Sequence, residues 1–239
     1  MVGKNKIKLI NSLKQKKQRG KNGLFIAEGK KTVAELLHSS FELEKVFATE
    51  PIQNVPVEKF ENISDHELKK ISQLTTPQTV LALFKIPLPK IISNSGLILA
   101  LDGVRDPGNL GTIIRLCDWF GISDLICSTD TVDCFGPKVV QASMGSIARV
   151  NIVYLDLEDF LKKNEKPIYG TFLSGENIYT TKLCEESILI LGNEANGISA
   201  SIEKLTTKKI CIPQFGKTKT AESLNVSTAA AICLSEFKR

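Results

Sequence analysis

Six short apolar runs in the second half of the chain constrain its fold more than any other feature. LILAL (97–101), DLICS (124–128), RVNIVYL (149–155), PIYGTF (167–172), SILILG (187–192) and KICIP (209–213) are almost continuously hydrophobic, and helical stretches separate most of them. A strand with one face in water alternates apolar with polar residues. An unbroken run needs cover on both faces, which a parallel sheet between helices supplies. The expected fold class is therefore α/β. Sheets of this class bind ligands off the carboxyl ends of their strands, and three polar, glycine-bearing loops follow such ends here.

A smaller pattern precedes it. LFIAEG reads as a strand, residues 29–38 as a helix, EKVFATE as a strand, SDHELKKISQL as a helix capped by Ser64, and TVLALFK as another strand. IPLPKIISNSG follows, with Pro87, Pro89, Ser93, Asn94 and Gly96. Prolines so close together continue neither a helix nor a central strand. The expected division is 1–86, a linker over 87–96, and 97–239.

Net charge is only +5, but its placement is one-sided. Residues 1–21 hold Lys4, Lys6, Lys8, Lys14, Lys16, Lys17, Arg19 and Lys21 with no acidic residue, while Ile7, Ile10 and Leu13 recur at helical spacing. One stripe can dock while the cations face water. Such a run repels itself unless a polyanion lies near, which makes Lys14, Lys16, Lys17, Arg19 and Lys21 expected phosphate contacts. A plain solvated helix face is the alternative. No apolar run approaches the roughly 18 residues of a membrane span, and the start has no apolar signal core, so a soluble, cytoplasmic protein is expected. The six cysteines are scattered without a CxxC pair, and only His38 and His66 exist. That opposes a zinc site, a disulfide framework, and a Ser-His-Asp or Cys-His mechanism.

The first polar loop is DGVRDPGNLGTIIR. Gly108 and Gly111 flank Asn109 and allow close backbone approach, Pro107 suits a turn, and Asn109 is suited to cap the next helix. Arg115 reaches the same mouth only if that helix begins at 109 or 110. In the second loop, LGNEANGIS, Gly192, Asn193, Glu194, Asn196 and Gly197 follow a buried strand, and Ser199 is placed to cap another helix. The third, IPQFGKTKTAESLNVSTAAAICL, leads through Ser223 and Asn225 into a helix rich in small residues. Two nucleotide motifs fail. Gly216-Lys217-Thr218 lacks the phosphate-loop glycine five residues earlier, where Cys211 stands, and the first loop offers G-x-x-G in place of G-x-G-x-x-G.

Taken in order, the three loops resemble the three signature motifs of the SpoU (TrmH) family of RNA 2′-O-ribose methyltransferases, within the SPOUT superfamily. Asn109, Gly111 and Arg115, preceded by Asp102 and Asp106-Pro107, match the first motif. Leu191-Gly192-Asn193-Glu194 is similar to the second, and Ile212-Pro213 with Ser223-Leu224-Asn225-Val226-Ser227 to the third. QASMGS (141–146) looks like the stretch connecting the first two. Residues 4–84 resemble the family's small α/β RNA-binding domain, similar to a ribosomal-protein fold. Two departures stand out: Ala195 where the family has glycine, and Lys217, Thr218 and Lys219 inserted in the third loop.

The resemblance implies a C-terminal parallel α/β sheet with a deep trefoil knot, a homodimer, S-adenosyl-L-methionine as cofactor, RNA as partner, and no metal. It implies that Arg115 serves as base or as electrostatic clamp. Asn109, Ser223 and Asn225 would orient Arg115 and substrate, and Glu194 would organise the loops or the cofactor. Gly192, Ile212 and Leu224 would line the cofactor pocket. Ribosomal RNA is expected over transfer RNA, because an appended domain suits a large structured substrate. A non-catalytic RNA-binding relative would have lost Arg115, Asn109 or the SLN triplet, and a reductase would need the missing glycine fingerprint.

Overall fold

Period-two alternation sorts the side chains of the first half onto two faces of a sheet. A computed structural model, describing residues 2–93, 95–216 and 222–239, divides the chain into two units. The first begins with α1 (Lys4–Ser12), α2 (Lys16–Asn22), β1 (Leu24–Glu28), α3 (Lys30–Leu37), β2 (Leu43–Ala48), β3 (Phe60–Asn62), α4 (Asp65–Ile71) and β4 (Val80–Lys85). Its strands lie in the order β1-β4-β2-β3, with β4 antiparallel to both neighbours and β2 parallel to β3. Ile26, Phe47, Leu81 and Leu83 face Ile10, Leu13, Leu68 and Ile71 of the helical layer. Phe25 and Phe84 point the other way and stack at 5.8 Å. Ser64 caps α4 through a complete capping box with Glu67. The Ser64 and Val2 backbone N–H groups hold the Glu67 carboxyl down at about 2.

The second unit contains β5 (Ile98–Leu101), α5 (Pro107–Trp119), β6 (Asp124–Ser128), β7 (Asn151–Leu155), α7 (Leu157–Lys162), β8 (Ile168–Asn177), β9 (Ile188–Leu191), α8 (Ala200–Glu203), β10 (Lys208–Cys211) and α9 (Val226–Phe237). The interruption between β6 and β7 holds α6 (Pro137–Ser143). All six strands are parallel, in the order β10-β8-β9-β5-β6-β7. Ile98, Ala100, Ile126, Ile188 and Ile190 pack on one face against Leu157 and Leu161 of α7 and Ile202 of α8. On the other face Phe237 of α9 meets Tyr169 edge-on at 5.2 Å, and α9 packs against α5. From β5 the chain builds outward through β6 and β7, then returns to place β9 on β5's other side. The carboxyl ends of β5 and β9 therefore flank the crevice where such a sheet binds ligands.

Residues 133–149 pack with the first unit, although they lie between β6 and β7 in sequence. Helix α6 rests on β1, and Phe135 approaches Phe25 at 5.0 Å. The same segment decides the fate of Arg19, one of the expected phosphate contacts. The basic start forms two helices in place of one, and the turn at Leu13–Gln15 leaves carbonyls without helical partners. Arg19 is 4% exposed and donates from Nη1 to the carbonyls of Leu13 (2.8 Å) and Lys14 (2.9 Å). Its Nε and Nη2 both donate to the Asp133 carboxylate. Arg19 is thus an internal brace, and its guanidinium faces no phosphate. Lys14, Lys16, Lys17 and Lys21 are exposed.

Candidate active site

Loop one is anchored by short polar contacts at the end of β5. Asp102 accepts the Ser199 N–H at 2.7 Å, and Gly103, with φ of 71°, donates its N–H to Ser128 Oγ at 2.8 Å. Asp106 is the N-cap of α5 and accepts the Asn109 N–H at 2.8 Å, with Pro107 at the first helical position. This corrects the reading of Asn109 as the cap, and the start at 109 or 110 on which Arg115 reaching the mouth depended is not found. The Asp-Pro pair starts it two residues earlier, which frees the Asn109 side chain.

That side chain joins all three loops. Asn109 Nδ2 donates to Glu194 Oε1 at 3.0 Å, and Asn225 Nδ2 donates to Asn109 Oδ1 at 2.9 Å. Asn225 in turn caps α9, its Oδ1 accepting from the N–H of Ser227 (2.9 Å) and Thr228 (3.3 Å). Glu194 also accepts the backbone N–H groups of Arg105 and Asp106, both at 3.3 Å. Burial acts to raise the Glu194 carboxyl, but hydrogen bonds from the Asn109 amide and from the backbone of Glu194, Arg105 and Asp106 outweigh it and lower it below the ordinary value. The amide of Asn109, an acceptor at one end and a donor at the other, is locked in one orientation by unlike neighbours.

The second loop closes on itself. Asn193 and Gly197 exchange both backbone hydrogen bonds at 2.9 Å, and Asn193 Oδ1 accepts from Ala195 and Asn196 N–H. A Cβ on Gly192 would lie 2.2 Å from the Gly197 carbonyl carbon and the Ile198 nitrogen, so the returning backbone alone demands glycine there. Ala195 does not adopt a positive φ, and alanine fits that turn.

Arg115 is exposed on α5, six residues beyond Asn109 and about 9 Å further along the helix axis. It stands outside the Asn225–Asn109–Glu194 chain. Ser223, like Leu224, is exposed ahead of α9, and Ile212 is half-buried after β10. Lys217, Thr218 and Lys219 lie outside the described residues. Apolar surface stands uncovered in this unit: Leu173 is 80% exposed, Phe215 82% and Leu224 50%. Tyr179 pairs with the Phe215 ring at 6.3 Å. Among the described residues around the mouth, the acids Asp102, Asp106, Asp130 and Glu194 outnumber the nearby Arg105.

Two partnerships escaped sequence reasoning. The Asp-Pro dipeptide could have revealed the Asp106 cap. Nothing local announces that Asn109 and Asn225, 116 residues apart, share a hydrogen bond.

Residues 96–235 match the SpoU rRNA Methylase family, and residues 4–82 the MRM3-like substrate binding domain. The chain is 31% identical over 236 residues to the 23S rRNA (guanosine(2553)-2′-O)-methyltransferase RlmP of Bacillus subtilis, covering 95% of this chain and 93% of that protein. A TrmH-family structure from Porphyromonas gingivalis is similar with a TM-score of 0.90 at 38% identity, covering 99% of this chain and 98% of that one. The AdoMet-bound rRNA methyltransferase from Sinorhizobium meliloti follows with a TM-score of 0.89 at 29% identity, covering 100% and 95%.

Proposed function

The chain belongs to the SpoU rRNA Methylase family, and from that premise we propose that it transfers the methyl group of S-adenosylmethionine to a ribose 2′-oxygen of ribosomal RNA. The observation that carries this reading is the hydrogen-bonded chain Asn225–Asn109–Glu194, which fixes three separate loops around the crevice between β5 and β9. The residues fit the cofactor. Uncovered Leu173, Phe215 and Leu224 offer apolar surface to an adenosine, and the acids among the described residues at the mouth suit a sulfonium. When bound, S-adenosylmethionine supplies an electrophilic methyl group.

The protein then has two tasks, alignment and management of the 2′-hydroxyl proton. Asn109, held at both ends of its amide, and Ser223 and Asn225 at the start of α9 orient the ribose. Glu194 stays ionised and ties loop two to loop one. Gly192, Ile212 and Leu224 shape the cofactor side. Arg115 carries a guanidinium, a group that donates hydrogen bonds and accepts none, so its part is to stabilise the developing alkoxide and hold an adjacent phosphate.

The exposed lysines at 14, 16, 17 and 21 would supply phosphate contacts for the appended domain. Knotting of the last segment belongs to the same reading. Cys211 lies on the edge strand β10, whereas Asn225 bonds Asn109 beside β5, three strands away. A homodimer completes it, supported by Trp119, the sole tryptophan, standing 84% exposed on α5. Sedimentation should show the wild type dimeric and Trp119→Glu shifted toward monomer. The function is tested by incubating the purified chain with methyl-labelled S-adenosylmethionine and ribosomal RNA from cells lacking it. Label entering the RNA supports the reading, and an RNA that stays unlabelled rejects it.

A further inference from the structure

Arg105 is a residue of the first loop to which the reaction above gives no part. Its backbone N–H and that of Asp106 both donate to Glu194, so the main chain here is tied directly into the site. The side chain leaves that anchored point for solvent, 71% exposed, and meets Asp130 Oδ2 through Nη2 at 3.4 Å. That distance, between two exposed groups, marks a weak contact. A guanidinium carries five N–H donors in a planar fork, so most of its donor capacity points outward.

The carboxylates of the same mouth are engaged differently. Asp102 accepts from Ser199, Asp106 caps α5, and Glu194 takes the Asn109 amide and two backbone donors. Asp130 accepts the Ser128 hydroxyl at 2.7 Å, the first of the causes that lower its carboxyl below the ordinary value. A phosphodiester chain entering the mouth meets the repulsion of these carboxylates unless a cation faces it. Arginine matches phosphate with two parallel N–H···O bonds, which a lysine does not. We propose that Arg105 is a second phosphate clamp, besides Arg115, for the RNA strand at the mouth, parked on Asp130 without RNA and exchanging that carboxylate for a phosphodiester when RNA enters. The proposal rests on the RNA methyl-transfer reading above.

The test compares Arg105→Ala, Arg105→Lys and Asp130→Asn with the unaltered chain, on ribosomal RNA from cells lacking the protein. Arg105→Ala should raise the RNA KM about tenfold, the order of one charge-assisted hydrogen bond. Its kcat should stay within about twofold, and its affinity for S-adenosylmethionine should not change. The slope of log RNA affinity against log salt should fall by about 0.7 to 0.9. Arg105→Lys keeps the charge without the fork and should lie between. Asp130→Asn releases the guanidinium and should bind RNA at least as tightly as the unaltered chain. An unchanged KM and salt slope in Arg105→Ala overturns the proposal. So does an Asp130→Asn variant that weakens RNA as Arg105→Ala does, or a loss of S-adenosylmethionine affinity in Arg105→Ala, since either makes Arg105 a brace of the loop. The salt-slope comparison needs no turnover. Absence of methyl transfer by the unaltered chain would reject the underlying reading separately.

Discussion

The polar residues of the basic start and those of the β5–β9 mouth are organised in opposite ways. At the mouth, Asn225, Asn109 and Glu194 fix one another across three loops, and Asp102 and Asp106 each hold a backbone N–H. At the start, the lysines at 14, 16, 17 and 21 stand in solvent, and the one arginine among them is turned inward by Asp133. The contrast is between groups preorganised for one geometry and exposed cations spread along a surface. Preorganisation lowers a barrier because the dipoles need not reorganise during the reaction. A compliant cationic surface adds affinity that salt removes.

The largest effect should come from the mouth. Arg115→Ala is expected to reduce kcat by about 10²–10⁴ while S-adenosylmethionine affinity stays within a few-fold. Single-turnover rates and calorimetry check this, and a near-normal rate would remove Arg115 from the mechanism. Next, Arg19→Ala should destabilise the fold by about 3 kcal/mol, because it strips the largely buried Asp133 carboxylate of its cation, leaving it only the Phe135 N–H, and takes the guanidinium from the Leu13 and Lys14 carbonyls. Lys17→Ala should stay within about 0.5 kcal/mol. Urea unfolding separates them. If Arg19→Ala keeps its stability but loses RNA affinity, the inward assignment is wrong and the contrast within the basic start disappears.

Smaller still, replacing Lys14, Lys16, Lys17 and Lys21 by alanine should flatten the salt slope of RNA binding by about 0.7 to 0.9 for each phosphate no longer neutralised. Cofactor affinity should be unchanged, and an unchanged slope would reduce these residues to a solvated surface. The least effect concerns pH. The folded Glu194 carboxyl lies below its unfolded value, so the stability it contributes is fully present above about pH 4.3 and is lost as pH falls through the lower folded pKa. Glu194→Gln should therefore weaken the acid-side loss of stability and leave the neutral range nearly flat. An identical acid transition in both proteins would show that the hydrogen bonds to Glu194 do not favour its charged form.

How much of this could be read from residues alone depended on distance along the chain. All six strands of the parallel sheet were legible, because burial on both faces demands unbroken apolar runs such as Ile98–Leu101 and Ile188–Leu191. The Ser64 cap of α4 was legible as a local signal. β3, three residues on a sheet edge, has too little length to show a period. The break between α1 and α2 was hidden because Ile7, Ile10 and Leu13 keep their spacing across its approach. Arg19 looked like its lysine neighbours, since the carboxylate that claims it lies 114 residues away. The motifs at the mouth could be named one by one, but their joining through Asn109 is a tertiary fact that no local spacing contains.

The central claim, methyl transfer to a ribose 2′-oxygen, has a direct chemical signature. A methylated 2′-oxygen cannot attack the adjacent phosphodiester, so alkali leaves that linkage intact. Ribosomal RNA from cells lacking the protein should be methylated by the purified chain with labelled S-adenosylmethionine and then hydrolysed in alkali. The label is predicted to appear in an alkali-resistant dinucleotide that yields a 2′-O-methylnucleoside on enzymatic digestion. Label found only in mononucleotides carrying a methylated base would contradict the account.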